Sequence, residues 1–178
     1  MAGILADILT LIQYQQMYLK YTEQVRLERC LCCGKAKLHR HGSYPRKADR
    51  SGESESLNPI FIQRYYCPDC RKTCSVLPEC MPPYRWYLWE VQQAALTLIL
   101  AGKSVYAASK EIAPSRHTIA RWWTRFNERF LLHKDILCNH IADLGRTIAF
   151  NDFWISCLQE IPLSKAMRLC HVAGAFIP

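Results

Sequence analysis

The sequence predicts a mainly α-helical chain interrupted by one small β ribbon, and three observations carry that prediction. Apolar residues recur at helical spacing near the N-terminus and again from about Leu88 to Asp143. Between them, from Cys30 to Cys80, the texture changes to short alternating runs and turns. Two Cys-x-x-Cys turns, in "CLCCGK" and "CPDCRK", bracket most of that middle segment. The organisation read from these features is an N-terminal helix at 1–28, a cysteine ribbon at 29–80, a Pro-rich linker at 81–87, a helical domain at 88–143 and a short tail at 144–178.

Composition narrows the chemistry. The 178 residues carry a formal charge of +8 and a pI near 9.0, which favours a polyanionic partner, although solubility alone would also explain a basic surface. Ten cysteines are many for this length. The opening "MAGILADILTLIQYQQ" has no basic segment and Asp7 interrupts its apolar run, so we expect no secretory signal. Metal binding or plain burial is then a better account of the thiols than a disulfide framework. The run "LTLILAG" falls far short of the roughly 20 apolar residues that span a bilayer. The expectation is a cytoplasmic protein with no membrane partner.

Element by element, residues 4 to about 27 read as one helix, with Ile4, Ile8, Leu11, Tyr18, Tyr21 and Val25 on its main stripe. Apolar flanks at Leu5, Leu9 and Ile12 widen that stripe, which would pack on its own core or make a homodimer contact. "KLHRHGSYPR" and "NPIFIQRYYC" read as two strands of a ribbon. In the second, Ile60, Ile62 and Tyr66 should share one face, and Phe61, Gln63 and Tyr65 the other. "KADRSGESES" between them reads as a mobile loop, and "LPECMPPYRWY" as an extended, semi-rigid spacer. Beyond Gly145, "RTIAFNDFWISCL" reads as the opening of a strand.

A Cys-x-x-Cys turn places two thiolates on one side of a metal ion, and a glycine after the second cysteine permits the tight turn. Cys30, Cys33 and Gly34 fit that pattern, and Cys67 and Cys70 supply the other side. Two such knuckles at the ends of a hairpin make a zinc ribbon with one structural Zn2+ held by four cysteines, closed to water and therefore not catalytic. Cys32 is left as an extra thiol, and Cys74, Cys80, Cys138, Cys157 and Cys170 read as small buried hydrophobes. Around the ribbon, Lys35, Lys37, Arg40, Arg46, Lys47, Arg64, Arg71 and Lys72 gather near Tyr44, Tyr65 and Tyr66. Such a surface suits contact with phosphates, as against a merely solvated charged face.

The stretch "EVQQAALTLILAGKSVYAASKEIAPSRHTIARWWTRFNERF" predicts three helices. The first, near Glu90 to Ala101, stops at Gly102; Ser104 caps a short second, with small Ala108 at a close crossing. Pro114 breaks it and Ser115 caps a third running to about Phe130. Ile119, Trp122 or Trp123, and Phe126 form the buried stripe of the third, leaving Arg116, His117, Ala120, Arg121, Thr124 and Arg125 outward. A short helix, a tight turn and a basic helix follow the helix-turn-helix plan for double-stranded DNA, against the plainer alternative of a helical hairpin with a charged face.

The order "CLCCG…RYYCPDCRKTCSVLP" then "SVYAASKEIAPSRHTIARWW" resembles the N-terminal DNA-binding region of bacterial insertion-sequence transposases and their small companion proteins. It also resembles a related family of uncharacterised bacterial zinc-ribbon proteins, over about residues 28 to 130. The resemblance implies recognition of terminal inverted repeats or repression of an element's own promoter, in a protein that is nucleoid-associated when bound. It further implies zinc on Cys30, Cys33, Cys67 and Cys70, with Ser115, Arg116, His117, Thr118 and Arg121 facing DNA. The N-terminal helix departs from the simplest members.

A transposase nuclease needs a carboxylate cluster holding two divalent ions. "TIAFNDFWI" would supply a first strand with Asp152 at its end, but Glu160 is the only acidic residue after it. We therefore expect no catalytic residues and no autonomous nuclease. Two rivals remain: a protein-interaction adaptor built on the ribbon, and a truncated DDE-type transposase subunit completed by another chain.

Overall fold

A computed structural model describes residues 2–20, 27–47, 57–175 and 177. They comprise a four-stranded sheet and seven α-helices, in two compact units, Met1–Leu88 and Trp89–Pro178. The mixed architecture predicted from sequence, mostly helical with a small cysteine-bearing sheet, is present. Among the described residues no helix is long and apolar enough to cross a membrane.

In the first unit the sheet order is β1-β4-β3-β2, with β1 Ala2–Leu5, β2 His39–Arg46, β3 Ile60–Tyr66 and β4 Thr73–Pro78. β2 and β3 are the expected antiparallel ribbon. The continuous helix expected over 4–27 is not formed. Residues 2–5 instead pair in parallel with Ser75–Pro78, and α1 runs only over Leu11–Lys20; residues 21–26 lie outside the described set. The start of α1 is set by a reciprocal cap. Gln13 Oε1 accepts from the Leu9 and Thr10 N–H groups at 2.9 and 3.0 Å, while Thr10 Oγ1 accepts from Gln13 N at 3.1 Å. This Thr-x-x-Gln box satisfies donors that a longer helix would have bonded internally.

α1 packs on its own unit. Ile8, Leu11 and Tyr14 join Ile60, Ile62, Tyr65, Val76, Leu77 and Met81 in one core, and the Tyr14 hydroxyl donates to Phe61 O at 3.1 Å. Leu9 and Ile12 stay exposed. The strict alternation expected along β3 holds for Ile60, Phe61 and Ile62 and then fails, because Gln63 and Tyr65 are buried and Tyr66 only half so. Both faces of β3 are covered there, and a bulge lies alongside in β2. Between the pairs Arg40↔Tyr65 and Ser43↔Gln63, β2 carries one extra residue, with Gly42 at φ +68°. The Gln63 amide donates to Gly42 O at 2.7 Å and Arg64 O at 2.9 Å, which makes its burial affordable.

The expected mobile loop at 47–56 lies, after Lys47, outside the described set. The Pro-rich stretch expected to act as a spacer at 81–87 packs within the first unit instead. Met81, Pro82 and Pro83 are buried, and the Arg46 guanidinium donates to Pro82 O and Arg85 O.

The second unit is helical: α2 Trp89–Leu100, α3 Val105–Glu111, α4 Arg116–Glu128, α5 Phe130–Cys138, a short 3-10 segment Ala142–Arg146, α6 Phe150–Glu160 and α7 Leu163–Val172. Gly102, at φ +89°, ends α2 with its N–H on Ile99 O. Ser104 Oγ accepts from Ala107 N at 3.1 Å and caps α3; Ser115 Oγ accepts from Thr118 N at 3.4 Å and caps α4. Ala108 is fully buried, as the close crossing requires, and Ile119, Trp122 and Phe126 form the inward stripe of α4. Trp123 is half-buried, edge-on to Phe150 with centroids 5.1 Å apart.

The region read as a strand and short tail is wrong in kind. "FNDFWISCLQE" is helix α6, with Phe153, Trp154 and Cys157 buried at helical spacing, and α7 follows it. Asp152 therefore stands in the first turn of a helix, where its charge complements the helix dipole, and not at a strand end.

Candidate metal centre

Cys30 and Cys33 lie on the turn that precedes β2, and Cys67 and Cys70 on the turn joining β3 to β4. Each turn is closed by its own backbone: Cys30 N donates to Lys35 O at 2.8 Å, Gly34 N to Cys30 O at 2.9 Å, and Cys67 N to Lys72 O at 3.0 Å. Both turns need a residue in the left-handed region after their second cysteine. Gly34 supplies it at φ +71° and Arg71 at φ +56°. A glycine accepts that conformation without a Cβ clash, whereas an arginine does so at a cost of about 1 kcal/mol. Arg71→Gly should therefore raise the denaturation midpoint of the metal-loaded protein, by about 1 kcal/mol in stability, with metal stoichiometry unchanged.

The antiparallel β2–β3 pairing brings the two turns face to face. Cys30 Sγ lies 3.6 Å from Cys70 Sγ and Cys33 Sγ 3.6 Å from Cys67 Sγ, and all four sulfurs fall within 4.8 Å of one another. A disulfide needs about 2.05 Å between sulfurs, so these thiols are free. Tetrahedral zinc with bonds of about 2.3 Å would set its sulfur ligands roughly 3.8 Å apart, close to the observed separations. The donor set thus fits a metal ion of the thiolate-preferring class, and the fold is compatible with a zinc ribbon.

The thiols are unequal. Burial works against ionisation of Cys30, but the Cys32 and Cys33 N–H groups, then the neighbouring Cys70 and Cys33 thiols, outweigh it and bring Cys30 down to about 6. Burial and the adjoining sulfurs push Cys70 up to about 12. A metal must displace the protons held by such a set, so affinity rises with pH and falls on acidification.

Cys32 is not part of the four-sulfur group. Its sulfur lies against Lys72 and holds that ammonium above its ordinary value. Cys74 is fully buried, and Cys80, Cys157 and Cys170 are buried too; Cys138 is half-buried.

The basic positions predicted from sequence differ in exposure. Lys35, Lys37, Arg40, Arg71 and Lys72 are exposed, whereas Arg64 is half-buried with its guanidinium 5.7 Å from the centre of the Tyr44 ring. On α4, Ser115, Arg116, His117 and Arg121 are exposed and Thr118 and Arg125 half-buried. Ser115 and Thr118 hydroxyls meet at 3.2 Å, and Arg116 Nε donates to His117 Nε2 at 3.4 Å. What sequence reasoning missed at the knuckles is the conformational duty of Arg71. Aligning Cys33-Gly34-Lys35 with Cys70-Arg71-Lys72 contains the signal.

No curated protein and no solved structure matches the chain. One family model does, over residues 30–122, from the first knuckle cysteine to the buried tryptophan of α4. That stretch is just over half of the 178 residues, and the chain belongs to the family described as Domain of unknown function (DUF6431).

Proposed function

We propose that this is a zinc-dependent DNA-binding protein, related to the transposase regions it resembles, that acts by binding and not by cleaving. Zinc on Cys30, Cys33, Cys67 and Cys70 holds the ribbon, whose exposed Lys35, Lys37, Arg40, Arg71 and Lys72 grip phosphates. Helices α3 and α4 act as a helix-turn-helix, with α4 entering the major groove of duplex DNA. The protein would work in the cytoplasm, on the nucleoid when bound.

The observation that carries this reading is α4 itself. It is capped by Ser115, buried along Ile119, Trp122 and Phe126, and exposes Arg116, His117 and Arg121 from its first two turns. Exposed arginines at the start of a firmly seated helix have the geometry for guanine edges and backbone phosphates. The matched family stretch also spans both the knuckles and this helix start, which supports a shared role.

The test is selection from random duplexes followed by titration. Affinity should fall steeply with salt, with a log–log slope near −0.9 for each phosphate contact. Arg121→Ala should relax sequence preference by about 1–3 kcal/mol at one position, whereas Lys72→Ala should weaken all sequences alike and flatten the salt slope by about 1. Equal behaviour of the two variants would remove α4 from the readout.

A second reading, docking to a protein, is favoured by exposed Leu9, just before α1, and Ile12 in its first turn. It predicts no DNA affinity at moderate salt. The same surface is the place for a homodimer contact, which a two-fold symmetric DNA site would call for.

A further inference from the structure

The segment after β4 presents aromatic side chains in a way that the ribbon and the α4 helix do not explain. Tyr84 is 74 % exposed and Trp86 55 % exposed. Exposed aromatics on a slack loop would mean little, but this loop is built. Met81, Pro82 and Pro83 are buried before the pair and Leu88 after it. Arg46, at the end of β2, reaches across to donate to both Pro82 O and Arg85 O. That one guanidinium fixes the backbone on either side of Tyr84. Tyr84 itself stands at φ +60°, a left-handed conformation that a tyrosine adopts only where the surroundings impose it.

We infer that residues 82–87 form a rigid stacking platform on which Tyr84 and Trp86 take an unpaired base of single-stranded or locally opened DNA. Every base has a π-face, so two exposed rings on a braced backbone bind without reading sequence. The occupant is chosen by charge. The chain carries +8, the loop contains Arg85, and Lys47 follows the bracing Arg46, so the strand that brings the base also meets cations for its phosphates. The inference rests on the DNA reading above, and deepens it by naming a form of DNA that a helix in the major groove does not select.

The test uses the full-length, zinc-loaded protein and three fluorescent probes: an intact duplex, the same duplex with one unpaired base, and a single-stranded oligonucleotide. Tyr84→Gly removes the ring while easing the backbone, and Trp86→Ala removes the second ring. Each should weaken the single strand and the unpaired-base duplex about tenfold, with intact-duplex affinity unchanged and with Trp86→Phe restoring most of the loss. Unchanged single-strand affinity in both variants would overturn the platform. So would wild-type protein that binds the intact duplex and ignores the other two probes, a result that leaves the α4 reading standing. Loss of duplex binding in Arg121→Ala with full single-strand binding would leave the platform standing. If Trp86→Ala instead abolishes self-association in sedimentation, the loop is a contact between copies and the inference falls.

Discussion

Stripping the metal from the loaded protein should unfold residues 2–88 and leave the second unit folded. Structural zinc sites contribute on the order of 10 kcal/mol or more in apparent binding free energy, whereas whole domains are stable by only about 5–15 kcal/mol. The first unit does have a core of its own, around Ile62, Tyr65, Val76, Leu77 and Met81. But both β3 neighbours leave or enter the sheet through the knuckles, so loss of the ion releases β2 and β4 together. Four unpaired thiols would also face one another across 4.8 Å or less. The readout is thiol alkylation mapped by mass. After chelation Cys74 and Cys80, both buried in the folded unit, should react within the time that Cys157 and Cys170 remain protected. Burial pushes those last two thiols up to about 12, which keeps them inert as nucleophiles at neutral pH. Cys67→Ser should reproduce the pattern without chelator. Continued protection of Cys74 in metal-free protein would show that the ion is dispensable to the fold.

Trp154→Ala should give the mirror image. Trp154 is fully buried, with Phe126 edge-on at 5.2 Å, Phe153 at 5.4 Å and His133 at 6.1 Å. It thereby ties α6 to α4 and α5 at once. Truncating a buried tryptophan costs about 3–5 kcal/mol through lost burial and the cavity left behind, a large share of a domain's net stability. The expected result is a lowered helical melting transition, with Cys157 and Cys170 opened to alkylation. Metal stoichiometry and the protection of Cys74 should be unchanged. A variant that lost metal as readily as it lost helix would contradict the division of the chain at Leu88 and Trp89.

These outcomes also mark where the sequence is a good guide. The knuckles are legible because the chemistry of a four-thiolate site fixes both residue type and spacing. Ser104 and Ser115 are legible because a cap acts within four residues, and the α4 stripe because Ile119, Trp122 and Phe126 recur at helical spacing. What resists reading depends on distant chain. β1 is four residues long, and only its pairing with Ser75–Pro78 makes it a strand. From sequence, the same residues extend an apolar helical stripe, and the Thr10–Gln13 box that ends the ambiguity was there to be read. α6 fails for a different reason. "TIAFNDFWI" has β-prone residues in a short window, and packing of Phe153 and Trp154 against α4 and α5 overrides that local preference. The bulge at Gly42 lies between these cases: the glycine is visible, but which strand gains the extra residue is set by the pairing.

The parallel pairing of residues 2–5 with 75–78 also fixes an order of events at the ribosome. Residues 2–5 have no strand partner until about seventy later residues have been made, and the second cysteine pair emerges ahead of that partner. A metal ion held by the four cysteines would therefore be captured before the sheet edge closes, setting the ribbon while β1 still waits for its seat.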